Sequence, residues 1–461
     1  MAADEEPSDS EAPDGVLRAD PRVATLVAAN TISTFGSAVA MLAFTFVSYQ
    51  LTGTLLASAV IMAASALPAL LLMRPAASLT QRFDLRWLAA VNLILRGALF
   101  FAVAGIVALG DLSYWLLLLT SVVSGVLGAF YFPVGNEMIR LIAPQGRVSQ
   151  LDAVISSANA VAGIVGVIAG GILLDTWGPA VLFVVNAVSY LVLAAAMGIF
   201  GPLRAVAEGT GRNSMREAFS VMRDVSLLRR FVLVAIIVQL VAWPIFNLLP
   251  EVSTSIGTSA VIFSLLLSSL YAGMSLVAPI LRRRERKYSH WHIAVVALVI
   301  LMIAMALMAL APLLSEGLRL VLVMLVLIPL GMALNMTSVV VTAAVQTSAP
   351  DEKEAEVLAA FSALITVATP VGALIIAGIA DSWSVWAALV VEAIGIGCLL
   401  VFLATPQMRG DLTHVLRGRD HVLLRHSLHR GTSHALPADV SAVPGTPPRA
   451  AAVAPGEPPG A

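Results

Sequence analysis

Twelve long apolar segments run through most of this chain, and they constrain its fold more than any motif does. They lie at residues 23–50, 55–80, 87–110, 113–138, 150–174, 178–200, 230–252, 258–281, 290–312, 318–346, 355–380 and 383–404. A helix needs about 20 apolar residues to cross the hydrocarbon core of a bilayer. Each segment is too long for a buried strand and none alternates in polarity, which excludes a β-barrel. The sequence therefore predicts an all-α membrane protein with twelve transmembrane helices.

The positive charges predict the orientation of these helices. Of the 27 lysines and arginines, all but Arg96 and Arg319 lie in the two tails, in alternate gaps (those after the second, fourth, sixth, eighth and tenth segments) or, for Arg74 and Arg230, towards the end of a segment that borders such a gap. The remaining gaps are short and hold acidic residues such as Asp175 and Asp381. Cationic loops stay on the cytoplasmic side of a membrane. We therefore expect a multi-pass protein of the cell membrane with both termini in the cytoplasm.

The two halves of the chain resemble each other. At a constant offset of 206 residues, Val165-Gly166 matches Val371-Gly372, Asp175-x-Trp177 matches Asp381-x-Trp383, and Asn186-Ala187 is aligned with Glu392-Ala393. Ala143-Pro144 matches Ala349-Pro350 in the same register. A run of matches without a gap, at equivalent places, indicates a duplication, and parallel six-helix halves are a transporter architecture.

This pattern predicts five regions in the chain. Two pseudo-symmetric six-helix bundles are flanked by tails and joined by the longest gap. The regions are an acidic cytoplasmic tail at 1–21, bundles at 22–200 and 230–404, a cytoplasmic connecting loop at 201–229, and a cytoplasmic C-tail at 405–461.

The sequence shows no sign of catalytic chemistry. There is no phosphate-binding Gly-Lys loop and no zinc-type His-Glu helix, and Cys398 is the only cysteine. We expect no enzyme, no cofactor, no metal site and no nucleic-acid partner. Residues 406–430 of the C-tail are basic and contain His414, His421, His426 and His429. This segment predicts an amphipathic helix on anionic lipid, and the alternative interpretation is that the histidines bind a metal.

A family resemblance enters at residues 30–90, where the first segment ends in Leu51-Thr52-Gly53. It continues through Phe132-Pro133, the glycine-rich fifth segment and Asn186-Ala187. These residues resemble the major facilitator superfamily, and within it the branch of macrolide-efflux and enterobactin-export proteins. The resemblance covers all twelve segments and implies a secondary transporter that works by alternating access.

The superfamily's loop signature, Gly-x-x-x-Asp-Arg-x-x-Arg-Arg, maps onto residues 77–86. Ala77 and Gln81 replace its glycine and acid, whereas Arg82 and Arg86 match it. The second and eleventh helices adjoin in the family fold. The resemblance therefore implies that the arginines of this loop form a cytoplasmic latch with the acidic residues at the start of the eleventh segment. We hypothesise two gating latches, with the helix macrodipole as the alternative role for the acids: Arg82 and Arg86 with Glu352 and Glu354, and Arg282 with Asp152.

Two ionisable residues lie deep in apolar segments, where charge is costly and often functional. Arg96 is in the third segment and Glu392 in the twelfth. Either one could serve coupling. Arg96 could instead bridge polar groups within the N-terminal half, and Glu392 could be a neutral acid in a helix interface.

The resemblance implies a central cavity lined by helices one, four, seven and ten. Helical spacing places polar and aromatic residues on one face of each, with a kink at Pro244. The candidate substrate-binding residues are Asn30, Thr34, Ser37, Met41, Ser124, Tyr131, Gln239, Trp243, Asn247, Met332 and Asn335. Amides, hydroxyls and aromatic rings suit a mostly neutral amphipathic substrate, although small polar residues also simply link helices.

The resulting functional hypothesis is proton-coupled efflux of a small amphipathic drug or secondary metabolite, a multidrug-resistance type of antiporter. Its expected partners are the small-molecule substrate, the lipid bilayer and protons as coupling ion. Two alternatives stay open: uptake of a nutrient or metabolite, and a transport-inactive membrane scaffold or sensor acting through the histidine-containing tail.

Overall fold

The computed structural model describes residues 20–143, 147–204, 214–277, 290–350 and 353–403, which form helices joined by short turns, with no strand among them. The predicted acidic tail (except Asp20 and Pro21), the middle of the connecting loop and the whole C-tail with its histidines lie outside these residues. The all-α class predicted from the apolar segments is confirmed.

Within each described range, successive helices are separated by a few residues. In chain order they are α1 Pro21–Thr52, α2 Leu55–Thr80, α3 Leu85–Ala108, α4 Tyr114–Ile142, α5 Val148–Trp177, α6 Pro179–Ala196, a connector helix Ser214–Asp224, α7 Ser226–Thr254, α8 Ala260–Ser275, α9 His290–Ala309, α10 Glu316–Ser348, α11 Glu354–Ser382 and α12 Val385–Leu403.

Ten of these helices are long and apolar enough to cross a membrane, by length and composition. The apolar parts of α2 and α8, Leu55–Pro68 and Ala260–Ser275, are shorter, so the described residues contain ten of the twelve predicted spans at full length. Large apolar side chains cover the outside of the bundle, as for Leu71 and Phe132, which are 71% and 72% exposed. Such a surface suits lipid, which solvates apolar side chains.

Two helices depart from regular α-helical geometry where the sequence permits it. Helix α1 contains a π-helical turn at Ala43–Val47, a feature that is frequent at functional sites. Helix α7 is interrupted at 242–244, so that its second part begins at Ile245 after Pro244. Proline lacks the backbone N–H that continues a helix, which confirms the kink predicted there.

Glycines allow the helices within each half to approach closely. A Cβ at Gly125 of α4 would collide with the carbonyl of Ser65 in α2. The same holds 206 residues later, where Gly331 of α10 abuts the carbonyl of Leu270 in α8. Small residues of this kind let backbones pack in a membrane, where no hydrophobic effect drives helices together. Equivalent contacts in both halves support the duplication.

The two halves meet through two helix pairs. Helix α5 packs against α8, and α2 packs against α11. Because the helices run alternately up and down, two ends of the bundle can be defined. The aspartate face holds Asp175 and Asp381, at the ends of α5 and α11, and the connector face holds the connector helix and the start of α11.

Candidate functional site

A central cavity of about 480 Å³ lies between the two halves. Helices α1 and α5 line one side, and α8 and α10 line the other. Its polar and polarisable lining residues are Thr34, Ser37, Met41, Ser156, Asn159, Tyr271, Met274, Ser275 and Asn335. Asn159 lies in the first half of α5, and Met274 and Ser275 end α8. The cavity therefore lies towards the connector face.

Hydrogen bonds between side chains connect α1 to α5 at the cavity wall. The Oδ1 atom of Asn159 accepts a bond of 3.0 Å from Nδ2 of Asn30 and another of 3.0 Å from the hydroxyl of Thr34. On the opposite wall, Nδ2 of Asn335 donates to the carbonyl of Met274 at 2.8 Å. These bonds hold the polar side chains in place on helices rather than on loops.

Arg96 lies behind this wall, among aromatic rings of the N-terminal half. Its guanidinium donates to the hydroxyl of Tyr190 at 3.2 Å and to the carbonyl of Ser124 at 3.2 Å. Its Cζ atom is 5.3 Å from the ring centre of Tyr190 and 5.8 Å from that of Tyr131. The hydroxyl of Tyr190 is in turn 3.4 Å from that of Ser37, which lines the cavity. The structure thus brings three predicted residues, Ser37, Ser124 and Tyr131, close to the predicted cation Arg96.

A second cavity of about 340 Å³ lies within the C-terminal half, between α7, α10 and α11. Gln239 and Trp243 line it together with hydroxyl groups: Thr337, Ser338, Thr342, Ser362 and Thr366. The indole N–H of Trp243 and Oε1 of Gln239 are inaccessible and have no hydrogen-bond partner within the described part of the chain. Buried polar groups normally find partners, so these two are candidates to bind a ligand or water.

A row of aromatic rings separates the two cavities. The ring of Trp243 stacks on Phe246 with centroids 5.6 Å apart, and Phe246 contacts Tyr271 at 5.7 Å. Tyr271 lines the central cavity, where its hydroxyl is 3.4 Å from the sulfur of Met41. Apolar rings with polar groups on both sides can accommodate an amphipathic molecule.

Two aspartates join the halves at the aspartate face. Asp381, at the end of α11, accepts hydrogen bonds of 2.8 and 2.9 Å from the backbone N–H groups of Leu55 and Leu56, the first residues of α2. Asp175, at the end of α5, accepts bonds of 3.0 and 3.2 Å from the N–H groups of Ala260 and Val261 at the start of α8. The hydroxyl of Ser259 also donates to Asp175. Each carboxylate thus caps the positive end of a helix in the other half.

This helical arrangement corresponds to a known family. Residues 26–373 match the sequence model of the Major Facilitator Superfamily. The chain belongs to this superfamily. It is a multi-pass membrane transporter of the major facilitator type. Comparison with curated protein sequences finds no match.

Solved structures of other transporters share the fold. A bacterial homologue of the human lysosomal transporter Spinster, in an inward-facing and unoccupied conformation, has a TM-score of 0.59 and 14% identity, over 86% of this chain and 96% of that one. The nucleoside transporter NupG has a TM-score of 0.65 and 11% identity, over 83% and 98%. A POT family transporter in complex with 5-aminolevulinic acid has a TM-score of 0.63 and 11% identity, over 87% and 98%. The macrolide-efflux or enterobactin-export branch stays a prediction.

The major facilitator loop between α2 and α3 is bound to its own half. Asp84 caps α3 and accepts a bond of 3.2 Å from the N–H of Leu203, and Arg86 donates to the carbonyl of Phe200 at 2.9 Å. Glu354, the expected latch partner, accepts from Gln346 at 2.8 Å. Lys353 pairs with Glu217 of the connector helix at 3.1 Å. Asp152 is exposed, and Arg282 and Glu352 lie outside the described residues.

The remaining predicted residues lie away from the central cavity. Asn247 is buried, and its Nδ2 is 3.9 Å from the sulfur of Met62 in α2. Met332 packs on a small apolar cluster between α8, α9 and α10. Glu392 is 0% exposed in α12, and both carboxylate oxygens have no hydrogen-bond partner among the residues described.

Sequence reasoning missed the cavity residues on α5 and α8. Asn159 and Tyr271 line the central cavity, although only helices one, four, seven and ten were expected to do so. One signal was available for Asn159, a polar amide in an otherwise small and apolar segment. Tyr190, which connects Arg96 to the cavity wall, carries no such signal, since a tyrosine in an apolar helix is more often a packing residue.

Proposed function

We propose that this transporter exports a small amphipathic compound by alternating access, driven by the proton gradient across the cell membrane. The observation that supports the alternating-access part is a cavity between two halves that matching aspartate caps join at one end. The cationic gaps support a cytoplasmic position for the connector face. On this proposal the cavity faces inward and the aspartate face is the closed outer end.

Alternating access requires that the contacts on the two faces replace each other. Capping bonds close the aspartate face, whereas the residues expected to latch the connector face contact their own half. Arg86 contacts the carbonyl of Phe200, and Glu354 contacts Gln346. This combination supports latches at the connector face that form only when the aspartate caps separate.

The chemistry of the two cavities supports an amphipathic substrate. Aromatic rings separate two cavities that are both rich in hydroxyl groups, and the central cavity also has amide and sulfur atoms in its lining. Such pockets favour molecules with an apolar body and a few polar groups. Export and proton coupling rest on the family resemblance and on the ionisable residues in the helices.

Transport in vesicles of known orientation tests this function. Everted vesicles that contain the protein would receive an acid-inside pH jump and a neutral, a cationic or an anionic fluorescent amphipath: Nile red, ethidium or 1-anilinonaphthalene-8-sulfonate. Export predicts uptake of at least one probe that an uncoupler abolishes. Gradient-driven loss from the vesicles would instead favour cellular uptake. Matched vesicles with the Asp175→Asn and Asp381→Asn double variant provide a folded protein with impaired gating.

A further inference from the structure

We propose that the transported compound carries an anionic group, such as a carboxylate, and that Arg96 selects for it. This inference rests on the proposed function of the cavity as the substrate site, but not on the direction or energy source of transport. It names a chemical class of substrate, an amphipathic organic anion, where composition alone suggested a mostly neutral one.

The charge of Arg96 is not neutralised by the protein around it. Its hydrogen-bond partners are a phenol and a backbone carbonyl, and its other contacts are the faces of two tyrosine rings. Arg96 forms no ion pair with any residue in the described ranges. An arginine side chain stays charged inside proteins. An uncompensated cation in a helix bundle is costly, which indicates that it serves a function.

Two side chains, those of Tyr190 and Ser37, connect this cation to the central cavity. The hydroxyl of Tyr190 accepts a hydrogen bond from Arg96 and lies 3.4 Å from the hydroxyl of Ser37, which lines the cavity. The residues that line the cavity include no acid and no base. Arg96 is therefore a charged side chain that a chain of two contacts connects to a cavity whose own lining is uncharged. In a medium of low dielectric constant, its field favours anions at that wall.

A hydrogen-bond donor is also available at the cavity wall. Asn159 uses its Oδ1 atom to accept from both Asn30 and Thr34, which leaves its Nδ2 group as the donor. No hydrogen bond from that Nδ2 group occurs within the described structure. An amide N–H in the wall and a guanidinium behind it together suit a carboxylate oxygen.

The alternative is that Arg96 only holds α3, α4 and α6 together through Ser124 and Tyr190. Both roles predict that removing Arg96 lowers stability. They differ in ligand preference, since a purely structural arginine has no reason to make the cavity prefer an anion over the matching neutral amide. The test therefore compares ligands that differ in charge alone.

Affinities would be measured by ligand-dependent thermal stabilisation of the purified full-length protein. The probes are indole-3-acetate against indole-3-acetamide and dansylglycine against dansylglycinamide, with tryptamine as a cation. For the wild-type protein we expect the carboxylate of at least one pair to bind at least ~10-fold more tightly than its amide. Arg96→Gln should abolish this preference while amide affinity stays the same, and Arg96→Lys should retain part of it.

Arg229→Gln is the matched control, because it removes the same charge from an exposed residue at the start of α7. It should leave the preference unchanged. The proposal is overturned if the wild-type protein binds no carboxylate more tightly than its amide, or if Arg96→Gln keeps the preference. If the variant does not fold, the affinities of the wild-type protein for carboxylate and amide still test whether the cavity prefers an anion. Because binding needs no gradient, anion preference without gradient-driven transport would refute only the export proposal.

Discussion

The carboxylate of Asp381, in the last turn of α11, accepts a hydrogen bond of 2.8 Å from the backbone N–H of Leu55, the first residue of α2. The residue at the equivalent position of the first half, Asp175, makes the same kind of bond to the N–H of Ala260 at the start of α8. A helix N-terminus leaves N–H groups without partners and carries partial positive charge. Each aspartate satisfies such groups across the boundary between the halves, so the bonds are lost when the aspartate face opens.

Weakening the two caps should shift the protein towards the state that is open at the aspartate face. An asparagine keeps only one accepting oxygen and has no charge, a loss of about 1 kcal/mol, so Asp175→Asn and Asp381→Asn should each raise the open population about fivefold. Spin labels at Trp177→Cys and Trp383→Cys, in a Cys398→Ser background, would report the separation of the halves by electron resonance. The exposed Asp111 on the same face provides the control Asp111→Asn, which should change nothing.

The connector face should close through the charges of the predicted latch. Reversing Arg82 and Arg86 to Glu should slow transport, and reversing Glu352 and Glu354 to Arg in the same protein should restore it. Since an exposed ion pair contributes at most about 1 kcal/mol, the slowing should be several-fold rather than complete. Transport rates in vesicles measure it. Reversal of the exposed Arg223 is the control, and failure of the rescue would refute the latch.

Two glycines of α11 should respond differently to an added methyl group. A Cβ at Gly372 would lie 2.6 Å from the Cα and carbonyl oxygen of Leu240 in α7, whereas a Cβ at Gly378 meets no atom within 4 Å. Gly372→Ala should therefore destabilise the protein by about 1–3 kcal/mol through overpacking. Gly378→Ala should be neutral or stabilise it by up to about 1 kcal/mol. Thermal unfolding in one detergent compares them, and equal effects would contradict this packing.

Arg319, a cation on the acidic side of the bundle, should be structural. Its guanidinium donates to the carbonyl of Ser255 at 2.7 Å and to that of Leu314 at 3.1 Å, with further bonds to Ala311 and Pro312. These bonds connect the end of α7 to the turn before α10. Arg319→Gln should lower the free energy of unfolding by about 1–3 kcal/mol, because it leaves carbonyl groups unpaired. The measurement is the unfolding temperature, which should fall. A drop no larger than that of the exposed Arg223→Gln would contradict this role.

Glu392 should tolerate replacement by its neutral analogue. A carboxylate buried without a cation or hydrogen-bond donor is costly, so we expect the acid to be neutral in this state. Glu392→Gln should therefore leave the unfolding free energy nearly unchanged, because it exchanges one neutral polar group for another of similar volume. Transport by the same variant tests the coupling hypothesis, because loss of gradient-driven transport with intact folding would assign Glu392 a proton-carrying role. The equivalent polar residue, Asn186, supplies Asn186→Asp as the reciprocal variant.

The predicted substrate residues stay a prediction, and helical spacing anticipated the lining of the central cavity best within a single helix. Thr34, Ser37 and Met41 share a face of α1 by helical spacing, and that face does line the central cavity. Gln239 and Trp243 also share a face, but it lines a separate cavity of the C-terminal half. Asn159 and Tyr271 complete the central cavity because α5 and α8 pack against each other across the two halves. Helical periodicity describes one helix at a time and contains no information about its neighbour.

Apolar length was enough to predict the helices, because a transmembrane helix follows from the transfer of a local segment into lipid. The residue matches at an offset of 206 predicted the duplication. The repeat even marked Asp175 and Asp381 as an equivalent pair. Their role could not be predicted, because their partners are backbone N–H groups, which every residue except proline carries and no side chain reveals. The site of Arg96 is similar, since its distance from the cavity depends on how Tyr190 of α6 and Ser37 of α1 meet. Such relationships exist only once the helices have packed.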